Sequence, residues 1–231
     1  MTEFVLPPPA IASVAIAGSP ERFAVRRIFC VGRNYAAHAR EFGNDERDPP
    51  FFFTKPADAV VDSGATIPYP PLTGSLHHEI ELVAAIGKPG FRIAREQALD
   101  HVWGYGVGID LTRRDLQDEA KKMARPWDWS KAFDRSAPCG PLISAAKSGH
   151  PQKGRIWLAV NGQVRQDADL TELIWPISDI VSICSEAVEL EPGDLIFTGT
   201  PAGVGAVRAG DTMTGGVDGI GTIEITIGQP K

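Results

Sequence analysis

Short apolar runs, each soon ended by glycine or proline, recur along the chain and constrain its fold more than any other feature. The sequence holds 24 Gly and 19 Pro among 231 residues, and both residue types interrupt helices and mark turns. Such punctuation suits short strands and short helices rather than a bundle of long helices. We therefore predict a β-rich α+β fold.

Several runs have the apolar, β-branched and aromatic character of strands. They read, in chain order, FFFTKP, ATIPYP, EIELVAAIG and VWGYGVGID. RIWLAVNGQVRQ predicts a hairpin that turns at Asn161–Gly162, and SDIVSICSEAVEL predicts a helix with one apolar side.

A helix is also predicted over about 112–124, directly after the VWGYGVGID run. Thr112 and Asp115 have the spacing of a capping box at its start, with Asp in place of the usual Glu or Gln. The apolar residues expected along one side of this helix are Leu116, Ala120 and Met123.

The length fits one domain over 1–231. Within it, 1–20 is expected to be a lead-in segment. The charged, proline-containing stretch GNDERDPP belongs to an exposed loop, so we predict a lid over about 35–50.

Charge and composition exclude several function classes. A formal charge of −6 and a pI near 5.4 argue against a nucleic-acid partner. No apolar run approaches the ~20 residues that span a membrane, and the N-terminus lacks a secretory pattern. Cys30, Cys139 and Cys184 are odd in number and far apart, which favours a reducing cytoplasm over disulfides or a zinc site.

The segment HHEIELV carries the strongest chemical signal. In an extended strand, Glu79 and Glu81 project from the same face, and two adjacent carboxylates favour a cation. Asp110 ends another apolar run and can approach them from a neighbouring strand. Three oxygen ligands favour Mg²⁺ or Mn²⁺ over zinc. The alternative is an ordinary strand face exposed to solvent, which has the same alternation of residues. His77 and His78 are interpreted as residues that support the ligands or pack beside them.

Two further groups are candidates for catalysis. His38 and Glu41 are three residues apart in a short predicted helix, so the carboxylate can orient the imidazole as a general base; a surface pair has the same spacing. Lys131 lies among aromatic residues that can bury its stem and direct its ammonium at an anion; the alternative is a partly exposed lysine. The turn FTGTPAGVG offers Thr200 and backbone donors to a carboxylate, although a plain turn looks alike.

Six ordered motifs resemble the fumarylacetoacetate hydrolase family over nearly the whole chain. They are VGRNYAAHAREFG, FFFTKPADAVV, LHHEIELVAAIG, WGYGVGIDLTRRDLQ, WSKAFDRSAPCGP and DLIFTGTPAGVG. The likeness is greatest to short members that act on acylpyruvates.

The resemblance implies a mixed β-sandwich roll with a few short helices, a homodimer and a role in aromatic catabolism. It also implies that a divalent metal and a diketo acid meet in one site, where fumarylpyruvate is hydrolysed to fumarate and pyruvate. The implied metal ligands are Glu79, Glu81 and Asp110, and the implied catalytic residues are His38, Glu41 and Lys131. The implied substrate contacts include Gln117 and Thr200.

A second carboxylate, as in fumarylpyruvate, would need a cation near the lid. The candidates are Arg33, Arg40, Arg47 and Arg125, and of these Arg33 is predicted to be a substrate contact together with Gln117 and Thr200.

Other functions use much of the same apparatus. Decarboxylation of oxaloacetate needs the metal and enolate stabilisation but no activated water, and isomerisation of a dienoic diacid needs enolisation alone. A non-catalytic metal-binding or ligand-binding protein would not explain why His38, Glu41 and Lys131 accompany the carboxylates.

Overall fold

A computed structural model describes residues 4–35 and 49–231 of the chain. Strands dominate the described residues, and the helices among them are short, which confirms the predicted β-rich α+β fold. No helix in these two ranges has the length and apolar character needed to cross a bilayer.

The strands and helices follow one another in short elements. The strands are β1 (Ser13–Ala15), β2 (Arg22–Ala24), β3 (Arg27–Val31), β4 (Phe52–Lys55), β5 (Val60–Asp62), β6 (Thr66–Pro68), β7 (Leu76–His78), β8 (Ile80–Ile86), β9 (Val102–Ile109), β10 (Thr112–Arg113), β11 (Ala137–Cys139), β12 (Ile143–Ser144), β13 (Arg155–Val160), β14 (Gln163–Asp169), β15 (Asp194–Phe197), β16 (Gly205–Val207), β17 (Thr212–Val217) and β18 (Gly221–Gly228). The α-helices are α1 (Arg114–Lys122), α2 (Asp128–Lys131), α3 (Ala145–Ser148) and α4 (Ile177–Ala187), and the 3₁₀ helices are Ala57–Ala59, Arg95–His101 and Leu170–Glu172.

Two large sheets form the body of the molecule. One has the order β4-β3-β15-β8-β9-β11-β5, with β12 also paired to β9, and the other has the order β14-β13-β17-β18-β6. Small sheets β10-β7-β16 and β1-β2 lie beside them.

Strand β8 lies at the centre of this arrangement, and all of its residues are buried. Because successive side chains of a strand point to opposite faces, its two faces contribute to different cores. Ile80 and Leu82 join the core that includes residues of the five-stranded sheet, whereas Val83 and Ala85 join a second core with β1, β3 and β15. Glu79 and Glu81 alternate in step with Val83 and Ala85, so their side chains point to the side of the strand that faces the second core.

The predicted hairpin is confirmed, because β13 and β14 pair in antiparallel fashion around Asn161 and Gly162, both at positive φ. Strand β14 forms an edge of its sheet. Its outward residues are largely polar and include Asp167, which pairs with Arg155 at 2.7 Å.

Helix α1 corrects part of the sequence interpretation. Thr112 lies in β10 instead of capping the helix, and Asp115 accepts hydrogen bonds from Thr73 and Gly74, so the predicted capping box is wrong. Met123 is also largely exposed. The buried residues of the helix are Arg114, Gln117 and Ala120, because α1 turns a mostly polar face towards a cavity rather than towards an apolar core.

Candidate active site

Strand pairing brings the three predicted metal ligands together. Glu79 occupies the junction between β7 and β8, and Asp110 directly follows β9, which pairs with β8 so that Ile80 opposes Ile109. The Asp110 amide donates to the Glu79 carbonyl oxygen at 2.8 Å. One ligand atom each of Glu79, Glu81 and Asp110 therefore lies within 4.8 Å of the others, and all three side chains are buried.

Two buried lysines contact these carboxylates. The Lys131 ammonium lies 2.8 Å from Glu79 Oε2 and 2.6 Å from Asp110 Oδ2, and it donates to Thr112 Oγ1 at 2.6 Å. The Lys55 ammonium lies 2.8 Å from Asp110 Oδ1. Burial opposes the charge of Lys131, but Asp110 and Glu79 outweigh it, so the pKa of Lys131 is raised. The predicted burial of its stem is present, with the ammonium directed at carboxylates.

Arg114 supplies a third cation from the first turn of α1. Its Nη2 pairs with Glu79 Oε1, and its Nη1 donates to Gln117 Oε1. Its Nε donates to His77 Nδ1 at 3.4 Å. Glu79 is thus held from two sides, by Arg114 and Lys131.

Glu81 is held differently. Its Oε2 accepts a hydrogen bond of 2.7 Å from the Gly199 amide, while none of the ion pairs found within residues 4–35 and 49–231 includes it. Burial raises the pKa of Glu81 well above its usual value, and the charges of Asp110 and Glu79 raise it further. A bound cation would supply positive charge beside this carboxylate.

The donor set fits a hard divalent cation. Glu79, Glu81 and Asp110 offer only carboxylate oxygens, the ligands that Mg²⁺ and Mn²⁺ prefer. Neither His77 nor His78 belongs to the group. We use the word floor for Glu79, Glu81, Asp110, Lys55 and Lys131.

The floor opens into a cavity of about 230 Å³. Arg33, Gln117 and Thr200, the three predicted substrate contacts, all line it. Arg33 has a φ of 100°, a conformation that costs a non-glycine residue about 1–3 kcal/mol and is concentrated at functional sites.

Gln166 links the surroundings of this cavity, although no local pattern in the sequence singles it out. Its Oε1 contacts His78 Nδ1 at 3.0 Å and accepts from the Ile80 amide at 3.1 Å. Its Nε2 donates to Thr200 Oγ1 at 2.8 Å and to the Pro201 carbonyl oxygen at 2.8 Å. Gln166 is fully buried, so it ties the strand that leads to Glu79 to the turn that carries Thr200.

The histidines beside Glu79 support this framework as neutral rings. Burial, followed by the charge of Arg114, lowers the pKa of His77 to about 4. Burial also lowers the pKa of His78. Both therefore act in the structure as hydrogen-bonding groups, as the sequence interpretation had them.

Other predicted residues lie elsewhere. His38, Glu41, Arg40 and Arg47, and most of the predicted lid over about 35–50, fall outside the described residues. Arg125 lies 3.9 Å from Glu119 and lines a different cavity.

Lys55 and Arg114 were also missed. Lys55 follows an aromatic run that suggests a plain strand. Arg114 lies seven residues before Lys121, a spacing that places both on one side of a helix. Both line the cavity, so this spacing is the signal that could have identified Arg114.

Comparisons with known proteins agree with this geometry. Residues 27–228 match the family profile described as fumarylacetoacetate (FAA) hydrolase C-terminal. The chain is 47% identical over 181 residues to a fumarylpyruvate hydrolase of Ralstonia sp., covering 78% of this chain and 94% of the relative. It is 39% identical over 206 residues to human mitochondrial oxaloacetate tautomerase FAHD1, covering 89% and 93% of the two chains.

A solved structure extends the likeness to the fold. Fumarylpyruvate hydrolase from Pseudomonas aeruginosa, in complex with Mn²⁺ and pyruvate, superposes with a TM-score of 0.95 at 55% identity, covering 98% of this chain and 100% of that one. The predicted fold is thereby confirmed. The chain belongs to the fumarylacetoacetate hydrolase family.

Proposed function

We propose that this chain is a metal-dependent hydrolase that cleaves a carbon–carbon bond of an acylpyruvate, with fumarylpyruvate as substrate and fumarate and pyruvate as products. The observation that carries the proposal is the floor, a cluster of three buried carboxylates and two buried lysines, of which Glu79, Glu81 and Lys131 line a cavity. The likeness to two fumarylpyruvate hydrolases supports the choice of substrate.

The floor residues have distinct roles in this proposal. Glu79, Glu81 and Asp110 would hold Mg²⁺ or Mn²⁺, which when bound polarises the keto acid and stabilises negative charge. Lys131 keeps Glu79 and Asp110 in place and sets a positive charge beside the enolate that forms. Gln117, Thr200 and Arg33 orient the substrate in the cavity.

Bond cleavage consumes one water. We assign His38, oriented by Glu41, as the base that removes a proton from this water, on the grounds of sequence. The resulting hydroxide attacks the carbonyl carbon of the acyl group. The bond to the pyruvate methylene then breaks, its electron pair forms the pyruvate enolate, and a proton restores pyruvate.

An assay of metal-stripped protein tests the proposal. Fumarylpyruvate and oxaloacetate are each offered with and without added Mg²⁺ or Mn²⁺, and the products are identified. We expect metal-restored formation of fumarate and pyruvate from fumarylpyruvate. Metal-restored pyruvate release from oxaloacetate alone would contradict hydrolysis as the main activity.

Oxaloacetate chemistry is a second candidate, favoured by the likeness to oxaloacetate tautomerase FAHD1. Substitution of His38 separates hydrolysis from decarboxylation, because decarboxylation needs neither an activated water nor a base to form one. His38→Ala is expected to slow hydrolysis by about 10²–10⁴-fold and to spare oxaloacetate decarboxylation. An equal loss of both activities would overturn the assigned role of His38.

Three broader features complete the proposal. A homodimer and a role in aromatic catabolism follow from the family resemblance. A cytoplasmic location is supported by three cysteines that are buried and free in the structure.

A further inference from the structure

The cavity has a second charged end, beyond the floor. Helix α1 lines the cavity with Arg114, Gln117, Asp118 and Lys121, a spacing that places all four on one side of a helix. At 1.5 Å per residue, Lys121 is about 10 Å along the helix axis from Arg114. A ligand that starts at the floor and extends along α1 would therefore reach Lys121.

Lys121 is one of two cations joined by an aromatic pair. Its ammonium lies 5.4 Å from the centre of the Trp127 ring, and Trp127 meets Phe51 edge to face with 5.2 Å between ring centres. The Arg33 guanidinium lies 5.2 Å from the centre of the Phe51 ring. We use the word rim for Arg33, Phe51, Trp127 and Lys121.

Phe51 and Arg33 have fixed positions in this rim. The Gly32 amide donates to the Phe51 carbonyl oxygen at 2.9 Å, and the ring packs so closely that a Cβ on Gly32 would lie 2.2 Å from it. Arg33 follows in its positive-φ conformation.

The charges of the rim favour an anion. Burial and the nearby Arg114 charge lower the pKa of Lys121, so a negative group there would stabilise the ammonium. Asp118 and Glu79 oppose this effect among the described residues, and Asp118 is the nearer to the Lys121 ammonium. It lies 3.9 Å from Lys121 with a side chain that is 62% exposed, a loose contact that contributes little.

We propose that Lys121 and Arg33, held by the Trp127–Phe51 pair, bind the carboxylate at the far end of the substrate and thereby select acylpyruvates that carry two carboxylates. This inference rests on the proposed function and refines it. The metal-binding end of the cavity binds the pyruvate part that all acylpyruvates share. The rim contacts the acyl group and discriminates between acyl groups. Trp127, which lines the cavity, offers an aromatic surface to a flat, unsaturated acyl chain.

Two substrates test the proposal. Fumarylpyruvate has the far carboxylate, and acetylpyruvate has a methyl group at the corresponding end. For Lys121→Gln we expect KM to rise about tenfold for fumarylpyruvate, as for a lost hydrogen bond to a charged group, with little change in kcat. The KM for acetylpyruvate should change far less.

Three further variants sharpen the experiment. Lys121→Arg should largely restore the low KM for fumarylpyruvate, because the positive charge is kept. Asp118→Asn should lower that KM by roughly two- to fivefold, because a competing carboxylate is removed. Lys122→Gln is the matched control on the next, exposed position and should alter neither substrate's kinetics.

The outcomes separate the two proposals. If the unsubstituted protein cleaves both substrates and Lys121→Gln raises both KM values equally, or neither, the carboxylate subsite is wrong and the hydrolase stands. If the unsubstituted protein cleaves neither substrate, the proposed function fails and the subsite falls with it.

Discussion

The floor and the rim of the cavity use positive charge in opposite ways. At the floor, Lys55 and Lys131 are almost completely buried and lie within 2.8 Å of carboxylate oxygens. At the rim, the Lys121 side chain is 35% exposed, and its contacts include the Trp127 ring and the Asp118 carboxylate at 3.9 Å. Buried, closely paired charges fix geometry, whereas a half-exposed side chain that lines the cavity can adjust to a ligand. The floor is therefore suited to chemistry shared by many substrates, and the rim to choosing among them.

The largest effect should come from Lys131→Met at the floor. Loss of the ammonium beside the forming enolate should lower kcat by about 10²–10³-fold, equally for fumarylpyruvate and acetylpyruvate. Mn²⁺ affinity, measured by titration, should also fall, because Lys131 holds Glu79 and Asp110 in place. A fall in kcat for fumarylpyruvate but not for acetylpyruvate would show that Lys131 acts on the acyl group, as the rim does. It would contradict the division of roles between the floor and the rim.

Gly199→Ala should give an intermediate effect, through the orientation of Glu81. Gly199 donates to Glu81, has a φ of +96°, and would place a Cβ 2.7 Å from that of Asn34. We expect Mn²⁺ affinity to fall by about 10–100-fold, as for other residues that orient metal ligands.

Gly210→Ala is the matched control for Gly199→Ala. Gly210 has a φ of +98° with nothing within 4 Å of an added Cβ, so it carries the same backbone strain away from the site. An equal fall of Mn²⁺ affinity in the two variants would show that backbone strain, and not the contact with Glu81, matters, and no fall in either would contradict the role given to Gly199.

Trp127→Leu should produce a smaller change, limited to the rim. The contact of Lys121 with the Trp127 ring is of a kind worth about 0.5–1 kcal/mol at exposed sites. The KM for fumarylpyruvate should therefore rise by roughly two- to fivefold, with acetylpyruvate as the internal control. A fall in kcat for both substrates would place Trp127 in the support of the floor, next to α2.

The smallest expected signal is the labelling of Cys30, which lies behind the floor. Burial raises the pKa of Cys30, and the nearby charge of Asp110 raises it further. Because a raised pKa keeps the thiol protonated below it, no reaction with a thiol reagent is expected at pH 8 without denaturant. Rapid labelling of Cys30, located by peptide mapping, would contradict a rigid floor.

The sequence allowed prediction of those parts of the site that depend on local geometry. The alternation at Glu79 and Glu81 and the strand end before Asp110 predicted that three carboxylates would meet, and the structure brings them together. The turn at Asn161 and Gly162 was readable for the same reason. In each case the relevant spacing is a property of one or two strands.

Residues that act through long-range contacts could not be predicted in this way. Lys55 is 55 residues from Asp110 in the numbering, and Gln166 contacts residues 88 and 34 positions away. The error at Thr112 has a similar origin. A capping box is a local preference, but Thr112 instead pairs in β10 and accepts a hydrogen bond from Lys131, because strand pairing and a buried ammonium outweigh a cap.

The position of Gln166 has a consequence for how this molecule opens. Edge strands such as β14 ordinarily exchange their amide hydrogens early, because they are held on one side only. Here a side chain from that edge is hydrogen-bonded to Ile80 and Thr200. Local opening of β14 must therefore break the hydrogen bonds of Gln166 with Ile80 and Thr200 beside the active site. A ligand bound in the active site should in turn slow amide exchange in β14.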